Sequence, residues 1–192
     1  MRRAQKAYVE LMAKRTLYFL RHGESDWNVE RLCIGQFDRP LTERGRAQAL
    51  AAGARCRSLG LELIFHSPLS RAADTAQAIS QATGARLQVE PSLIEANLGE
   101  KQGAREDLEG DPFFQRWLAG TQFQGAETFA ALRLRAKRSM LTCLARCPLE
   151  AGAPLIVGHS AFFRALCVQM KRLPIAAEHC VPYQLEIETE QP

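Results

Sequence analysis

Short apolar runs separated by longer stretches of helical spacing constrain this chain most. TLYFLR (16–21), LELIFHS (61–67), RLQVE (86–90) and PLIVGHS (154–160) read as buried strands. PYQLEIE (182–188) alternates and reads as a late edge strand. Between them, TERGRAQALAAGARCRSLG (42–60) has helical spacing, with Thr42 as cap and Gly60 at the exit. PLSRAADTAQAISQATG (68–84) predicts a second helix, with Ser67 as N-cap, Pro68 at the first helical position and Gly84 at the end. ETFAALRLRAKRSMLTCLARC (127–147) and AFFRALCVQMKRL (161–173) predict two more. Such alternation predicts a layered α/β domain with a mostly parallel sheet, and ligands in such sheets sit at the carboxyl ends of strands.

The chain has 192 residues, 46% apolar and 24% charged, enough for one domain with a real core. It contains no apolar run long enough to span a membrane, and no internal repeat or low-complexity tract. Residues 16–192 are read as one domain and 1–15 as a basic extension. That extension carries five cations (Arg2, Arg3, Lys6, Lys14, Arg15) against one anion, Glu10, leaving twenty of each sign in the rest. The net charge of +4 is therefore a property of the tail and gives no nucleic-acid footprint. The tail lacks a signal-peptide core. Two readings of it stand: an amphipathic helix with Tyr8, Leu11 and Met12 on one face, or an upstream segment with Met12 as the natural start. Six cysteines occur without a C-x-x-C pair, and Cys143 and Cys147 share a helix face as buried thiols. With no secretory signal, reduced thiols in the cytoplasm are expected.

Three strands end in chemistry. The first runs into Arg21-His22, the second into Ser67-Pro68-Leu69-Ser70-Arg71, the fourth into Gly158-His159-Ser160. Singly each is weak, since a histidine at a strand end is more often structural. If the three strands are neighbours in a parallel sheet, two guanidiniums, two imidazoles and a helix N-terminus converge. Planar guanidinium forks and backbone amides at a helix start suit a phosphate.

The ordered motifs carry a resemblance. Arg21-His22-Gly23-Glu24-Ser25 is followed by Asn28, Asp38, Leu41-Thr42-Glu43-Arg44-Gly45 and Gln48. Ser67-Pro68-Leu69 with Arg71-Ala72 and Thr75, then Glu95, Gly99 and Gly103, and finally Val157-Gly158-His159, complete the set. Over roughly 16–173 the chain resembles the histidine phosphatase superfamily, the phosphoglycerate-mutase-like enzymes. The resemblance implies a three-layer α/β/α fold and a phosphohistidine mechanism that needs no metal or cofactor. It implies that His22 is the nucleophile, with Gly23 bringing a carbonyl to its other ring nitrogen. Arg21, Arg71 and His159 would surround the phosphoryl group, with Asn28 and Ser25 as further polar contacts. Glu95 resembles the proton donor, a role worth roughly 10²–10⁴ in rate. The competing reading makes Glu95 a carboxylate paired with Lys101 or Arg105.

Two positions depart from the pattern. Ser160 stands where relatives commonly have Gly; it is expected to cap the following helix and lies near substrate. Lys101 stands where an aromatic is frequent and would alter the pocket rim. Only 63 residues separate Glu95 from His159, so the lid, about 100–126, is compact. Its Phe113, Phe114, Trp117 and Phe123 either pack a short helix or wall the substrate. Arg105 and Arg116 either meet a second negative group or are solvated. Arg133, Arg135, Lys137 and Arg138 are expected to be a solvated face. Without the long insertion and arginine-tyrosine cluster of the mutases, the resemblance favours a phosphomonoester hydrolase acting on a small phosphorylated metabolite. A phosphomutase is the alternative, and a non-catalytic phospho-ligand-binding module the third. The expected partner is a small phosphate ester; the oligomeric state is not readable.

Overall fold

The computed structural model describes residues 12–105, 113–148 and 151–190. Five strands form one sheet: β1 (Met12–Arg21), β2 (Leu63–His66), β3 (Arg86–Val89), β4 (Leu155–Gly158) and β5 (Pro182–Glu190). The helices are α1 (Asp26–Val29), α2 (Glu43–Cys56), α3 (Ser70–Thr83), α4 (Phe113–Leu118), α5 (Phe129–Ala145) and α6 (Ser160–Gln169).

The strand order is β3-β2-β4-β1-β5. The first four are parallel neighbours, and β5 is antiparallel to β1 at one edge. The register pairs Arg21 with Gly158 across β1 and β4, and His66 with Val157 across β4 and β2. The three strand ends that carry chemistry therefore finish level and side by side.

Alternation along β1 divides the core. Leu17 and Phe19 face one layer with Phe65, Ile156, α5 and α6. Leu20 faces the other with Ile64, Val157 and the alanine-rich faces of α2 and α3. Two packed layers around one sheet make the α/β/α sandwich. All six cysteines are buried, and none is in a disulfide.

The strand β1 begins at Met12, four residues before the apolar run suggests, and pairs with β5 from Met12 to Leu20. The helical reading of the tail thus fails at Met12; Tyr8 and Leu11 lie outside the described residues. Arg15 belongs to the fold rather than to a solvated tail. Its guanidinium donates to the carbonyls of Leu144 and Cys147 at 2.6 and 3.0 Å, a cation at the C-terminal end of α5.

Thr42 caps α2 as expected, accepting from the Gly45 N–H at 2.9 Å. The second helix starts later than expected, at Ser70 with Leu69 as N-cap; the Ser67 hydroxyl lies 2.7 Å from His159 Nε2 and accepts only a longer bond, 3.3 Å, from the Leu69 N–H. Asp38 takes over the capping from a distant loop, accepting from the Ser70 N–H and hydroxyl at 2.8 and 2.7 Å.

Candidate active site

His22 follows the last residue of β1, and its N–H donates to the Gly158 carbonyl of β4 at 3.0 Å. Its ring is buried. Nδ1 lies 2.6 Å from the Gly23 carbonyl, which can only accept, so Nδ1 carries the proton and Nε2 keeps its lone pair. Gly23 is required there, because a Cβ would sit 2.4 Å from the Gly45 carbonyl oxygen. The Gly23 N–H in turn donates to Thr75 Oγ1 at 3.0 Å. Burial, then the charges of Arg71, His159 and Arg21, push the His22 pKa well below its ordinary value. The ring is neutral at pH 7.

Arg71, in the first turn of α3, is almost wholly buried. Its Nε–H donates to His22 Nε2 at 3.2 Å, and its Nη groups donate to the carbonyls of Phe37 and Gly35 at 2.7 and 2.9 Å. Burial lowers its pKa to about 10, still fully charged at pH 7. Arg21 reaches the Ala177 carbonyl through Nη1 at 3.2 Å. His159 closes β4 and is fully buried, with Nε2 2.7 Å from the Ser67 hydroxyl. Its ring centroid is 5.2 Å from that of His22. Its pKa is also pushed well down, by burial and then by Arg71 and Arg21.

Glu95 does not pair with Lys101 or Arg105. Its Oε1 accepts from the N–H groups of Ala96 and Phe162 at 2.9 and 3.0 Å, and its Oε2 from Ala161 at 3.1 Å. The carboxylate therefore satisfies two orphan donors at the start of α6, the helix that follows His159. Oε2 accepts from a single donor and keeps a lone pair open. The Glu95 backbone is fixed too, its carbonyl accepting from Gln36 and Arg135 at 3.0 and 3.2 Å.

This arrangement corrects the expectation for Ser160. It is the first residue of α6, His159 is the N-cap, and the Ser160 side chain makes no capping bond because Glu95 already holds those donors. Ser160 does line the cleft in front of His22. Asn28 lines it as well, whereas Ser25 is buried behind it, donating its hydroxyl and N–H to Asn28 Oδ1 at 2.8 and 3.0 Å. Ser25 thus orients Asn28 instead of facing the cleft.

The cleft has a volume of about 510 Å³ and gathers Arg21, His22, Asn28, Arg71, Glu95 and Ser160. Sequence reasoning missed three residues here. His179, on the loop before β5, holds its Nδ1 2.7 Å from the His22 carbonyl, and burial followed by Arg21 lowers its pKa to about 4. No periodicity or motif marks it. Arg31 and Arg164 also line the cleft. Arg164 was findable, because it lies one helical turn beyond Ser160 on the same face.

The lid aromatics divide. Phe113, Trp117 and Phe123 pack on one another, with Trp117 fully buried and its indole N–H donating to the Glu127 carbonyl at 2.8 Å. Phe114 and Leu118 face the cleft. Lys101 lies over the rings of Phe113 and Phe123 and is not part of the cleft lining. Arg105 and Arg116 are exposed and outside that lining, Arg116 lying over Phe123, so neither is placed for a second anion. Arg135 is not solvated: it pairs with Glu127 and donates to the carbonyls of Ser92 and Ile94. Among the described residues, no group of three His, Cys, Asp or Glu side chains is placed to hold a metal ion. None of their helices is long and apolar enough to cross a membrane.

Residues 17–185 match the family model of the histidine phosphatase superfamily (branch 1). A protein named "Probable phosphoglycerate mutase GpmB" from Salmonella paratyphi B is 37% identical over 169 residues, covering 84% of this chain and 77% of the relative. Among solved structures, Bacillus stearothermophilus YhfR superposes with a TM-score of 0.79 at 29% identity, covering 92% of this chain and 93% of its own. A mycobacterial glucosyl-3-phosphoglycerate phosphatase complexed with VO3 gives 0.78 at 27% identity, covering 88% and 90%.

Proposed function

Because the chain belongs to the histidine phosphatase superfamily, we propose that it is a phosphomonoester hydrolase working through a phosphohistidine on His22 Nε2. The observation that carries this reading is the tautomer lock. The bond from Nδ1–H to the Gly23 carbonyl leaves a neutral ring whose Nε2 lone pair sits among fixed cations.

On this reading Arg71 Nε–H turns from Nε2 to a phosphoryl oxygen as substrate enters. Arg21, His159 and Asn28 hold the remaining oxygens, with Ser160 at the rim. The Nε2–phosphorus bond forms as the bond from phosphorus to the leaving oxygen breaks, and Glu95 Oε2 gives that oxygen its proton. Water then attacks phosphorus, Glu95 takes the water's proton, and the Nε2–phosphorus bond breaks to release phosphate. Throughout, Nδ1–H stays on the Gly23 carbonyl, which also favours the cationic ring formed on phosphorylation. Positioning and charge supply most of what phosphoryl transfer asks for, and this set needs no metal.

A phosphomutase is the second reading, favoured by the name of the Salmonella relative. The compact lid, which presents Phe114 and Leu118 to the cleft, favours hydrolysis. A purely binding role has least support, since nucleophile, arginines and acid all meet in one cleft. Six buried cysteines without a disulfide support a reducing, cytoplasmic setting.

The test is phosphate release from a panel of phosphomonoesters in EDTA, with wild type and His22→Ala. The wild type is expected to turn over and the variant to be inactive. No release from any member, with isomerised phosphoglycerate instead, would replace hydrolase by mutase.

A further inference from the structure

A single peptide plane joins His22 to Gly23, and its direction decides where the imidazole points. At one end is the Cα that bears the ring. At the other is the Cα of Gly23, whose carbonyl takes the Nδ1 proton at 2.6 Å. If the plane turned, that carbonyl would swing away from the ring and release the tautomer. The plane is rigid in itself, but glycine, with no Cβ, restrains its rotation less than any other residue. Its direction therefore depends on bonds from outside.

Two side chains supply those bonds, one on each edge of the plane. The Gly23 N–H donates to Thr75 Oγ1 at 3.0 Å, and that hydroxyl is fixed in turn by donating to the Arg71 carbonyl at 2.7 Å. On the other edge, the His22 carbonyl lies 2.7 Å from His179 Nδ1. A carbonyl can only accept, so the His179 ring proton sits on Nδ1. Burial, then Arg21, keep this ring neutral at pH 7. A neutral donor fixes the plane without adding charge beside a ring that becomes cationic on phosphorylation.

His179 is itself held in place by its loop. The Cys180 N–H donates to the Arg21 carbonyl at 2.9 Å, and Arg21 Nη1 donates back to the Ala177 carbonyl at 3.2 Å. Arg55 donates to the Cys180 carbonyl at 2.8 Å, and the Glu178 N–H to the Tyr183 hydroxyl at 3.0 Å. These bonds hold Cys180 at φ 58°, uncommon for a residue with a Cβ, in the turn that follows His179. His179 is not part of the cleft lining, and its ring centroid lies 5.5 Å from that of His22. Its influence on a substrate would pass through His22.

We propose that His179 is a positioning residue: by donating to the His22 carbonyl it fixes the His22–Gly23 peptide, and with it the tautomer and aim of the nucleophilic ring. The effect on rate rests on the hydrolase reading above, whereas the hold on the ring exists in the free protein.

Two variants separate the donor from the bulk. His179→Asn keeps an N–H near the position of Nδ1, and His179→Leu keeps bulk without a donor; His179→Ala replaces the latter if it does not fold. Nitrogen NMR of the free protein with labelled histidines reads the His22 ring, one of four histidines in the chain. Wild type and His179→Asn are expected to show one protonated and one bare ring nitrogen, and His179→Leu a mixture of tautomers. Kinetics use a phosphomonoester that the panel above shows to be turned over. The kcat of His179→Leu is expected to fall roughly ten- to a hundredfold, the cost of a misplaced reacting group, with KM within about threefold. His179→Asn should recover most of that loss. A role in folding alone would lower the unfolding midpoint of His179→Leu and leave both the spectrum and kcat unchanged; that result would overturn the proposal, as would an asparagine variant no better than the leucine one. A wild type with the fixed tautomer that hydrolyses no phosphomonoester would overturn the hydrolase reading instead, and the spectra would still decide the role of His179.

Discussion

Acid should unfold this protein unusually steeply, through its histidines rather than its carboxylates. His22, His159 and His179 all have folded-state pKa values below the ordinary one, principally through burial, with His179 near 4. In the unfolded chain each returns to about 6.5. A group depressed on folding binds fewer protons in the native state, so stability falls as pH drops below 6.5 and keeps falling until the folded group titrates. At pH 5.5 about nine-tenths of an unfolded histidine is protonated, whereas folded His179, with its pKa near 4, is almost wholly neutral. His179 then contributes about 1.3 kcal/mol of destabilisation between pH 7.5 and 5.5, and His22 and His159, shifted in the same direction, each add at most the same, so the three together reach at most about 4 kcal/mol. That is a large share of an ordinary stability of about 5–15 kcal/mol. Carboxylates titrate mainly below this window. Urea unfolding at pH 7.5, 6.5 and 5.5 measures the slope, expected to exceed the one-histidine value of about 1.2 kcal/mol per pH unit at the acid end and to stay below about 3.7. His179→Asn, which keeps a donor for the His22 carbonyl, should remove at least about a third of it. A slope of about one proton or less would mean that the rings protonate in place, and the buried, neutral site would be refuted.

Glu95→Gln should cost stability as well as rate, because the amide must turn its NH₂ toward at least one backbone donor. Loss of a charge-assisted bond at a buried site is worth about 1.5–3 kcal/mol, read from urea unfolding, and turnover of alkyl phosphates should fall roughly 10²–10⁴. An unchanged unfolding midpoint would detach Glu95 from α6. Gly23→Ala would drive a Cβ to 2.4 Å from the Gly45 backbone oxygen; we expect a loss of about 1–3 kcal/mol and a fall in kcat, since the carbonyl that holds Nδ1 must shift. A variant as stable and active as the wild type would show that the carbonyl does not set the tautomer.

Sequence alone located the sheet, the convergence of its strand ends, and the groups that meet there. Apolar strands running directly into Arg21-His22 and Gly158-His159 announce a site at the carboxyl edge, and the fold is the phosphoglycerate-mutase-like one that the resemblance implied. What stayed hidden was mostly bonding between segments far apart in sequence. Ser67 and Ser160 look like helix caps because hydroxyls at those positions usually are. Here Asp38 takes the Ser70 N–H from 32 residues away, and Glu95 takes the Ala161 N–H from 66 residues away. Arg135 sits in a basic run on a helix surface, and its partners at Ser92, Ile94 and Glu127 appear only when α5 docks. His179 has no periodic context, and only the antiparallel return through β5 brings it against His22.

The way Arg71 is held bears on why the site suits a dianion. An arginine buried this deeply would ordinarily be expected to pair with a carboxylate. Arg71 instead spends all three of its hydrogen-bonding groups on the neutral acceptors His22 Nε2, Phe37 O and Gly35 O. Carbonyls fix the guanidinium's direction without cancelling its charge. Arg135 shows the contrast: it meets Glu127 through two nitrogens, is neutralised, and is not part of the cleft lining. Glu95, the one acid among the described residues that line the cleft, has its charge taken up by the backbone of α6. The fold thus separates two tasks that an ion pair would merge, orienting a cation and leaving it unneutralised, and that separation prepares a field for phosphate before any ligand arrives.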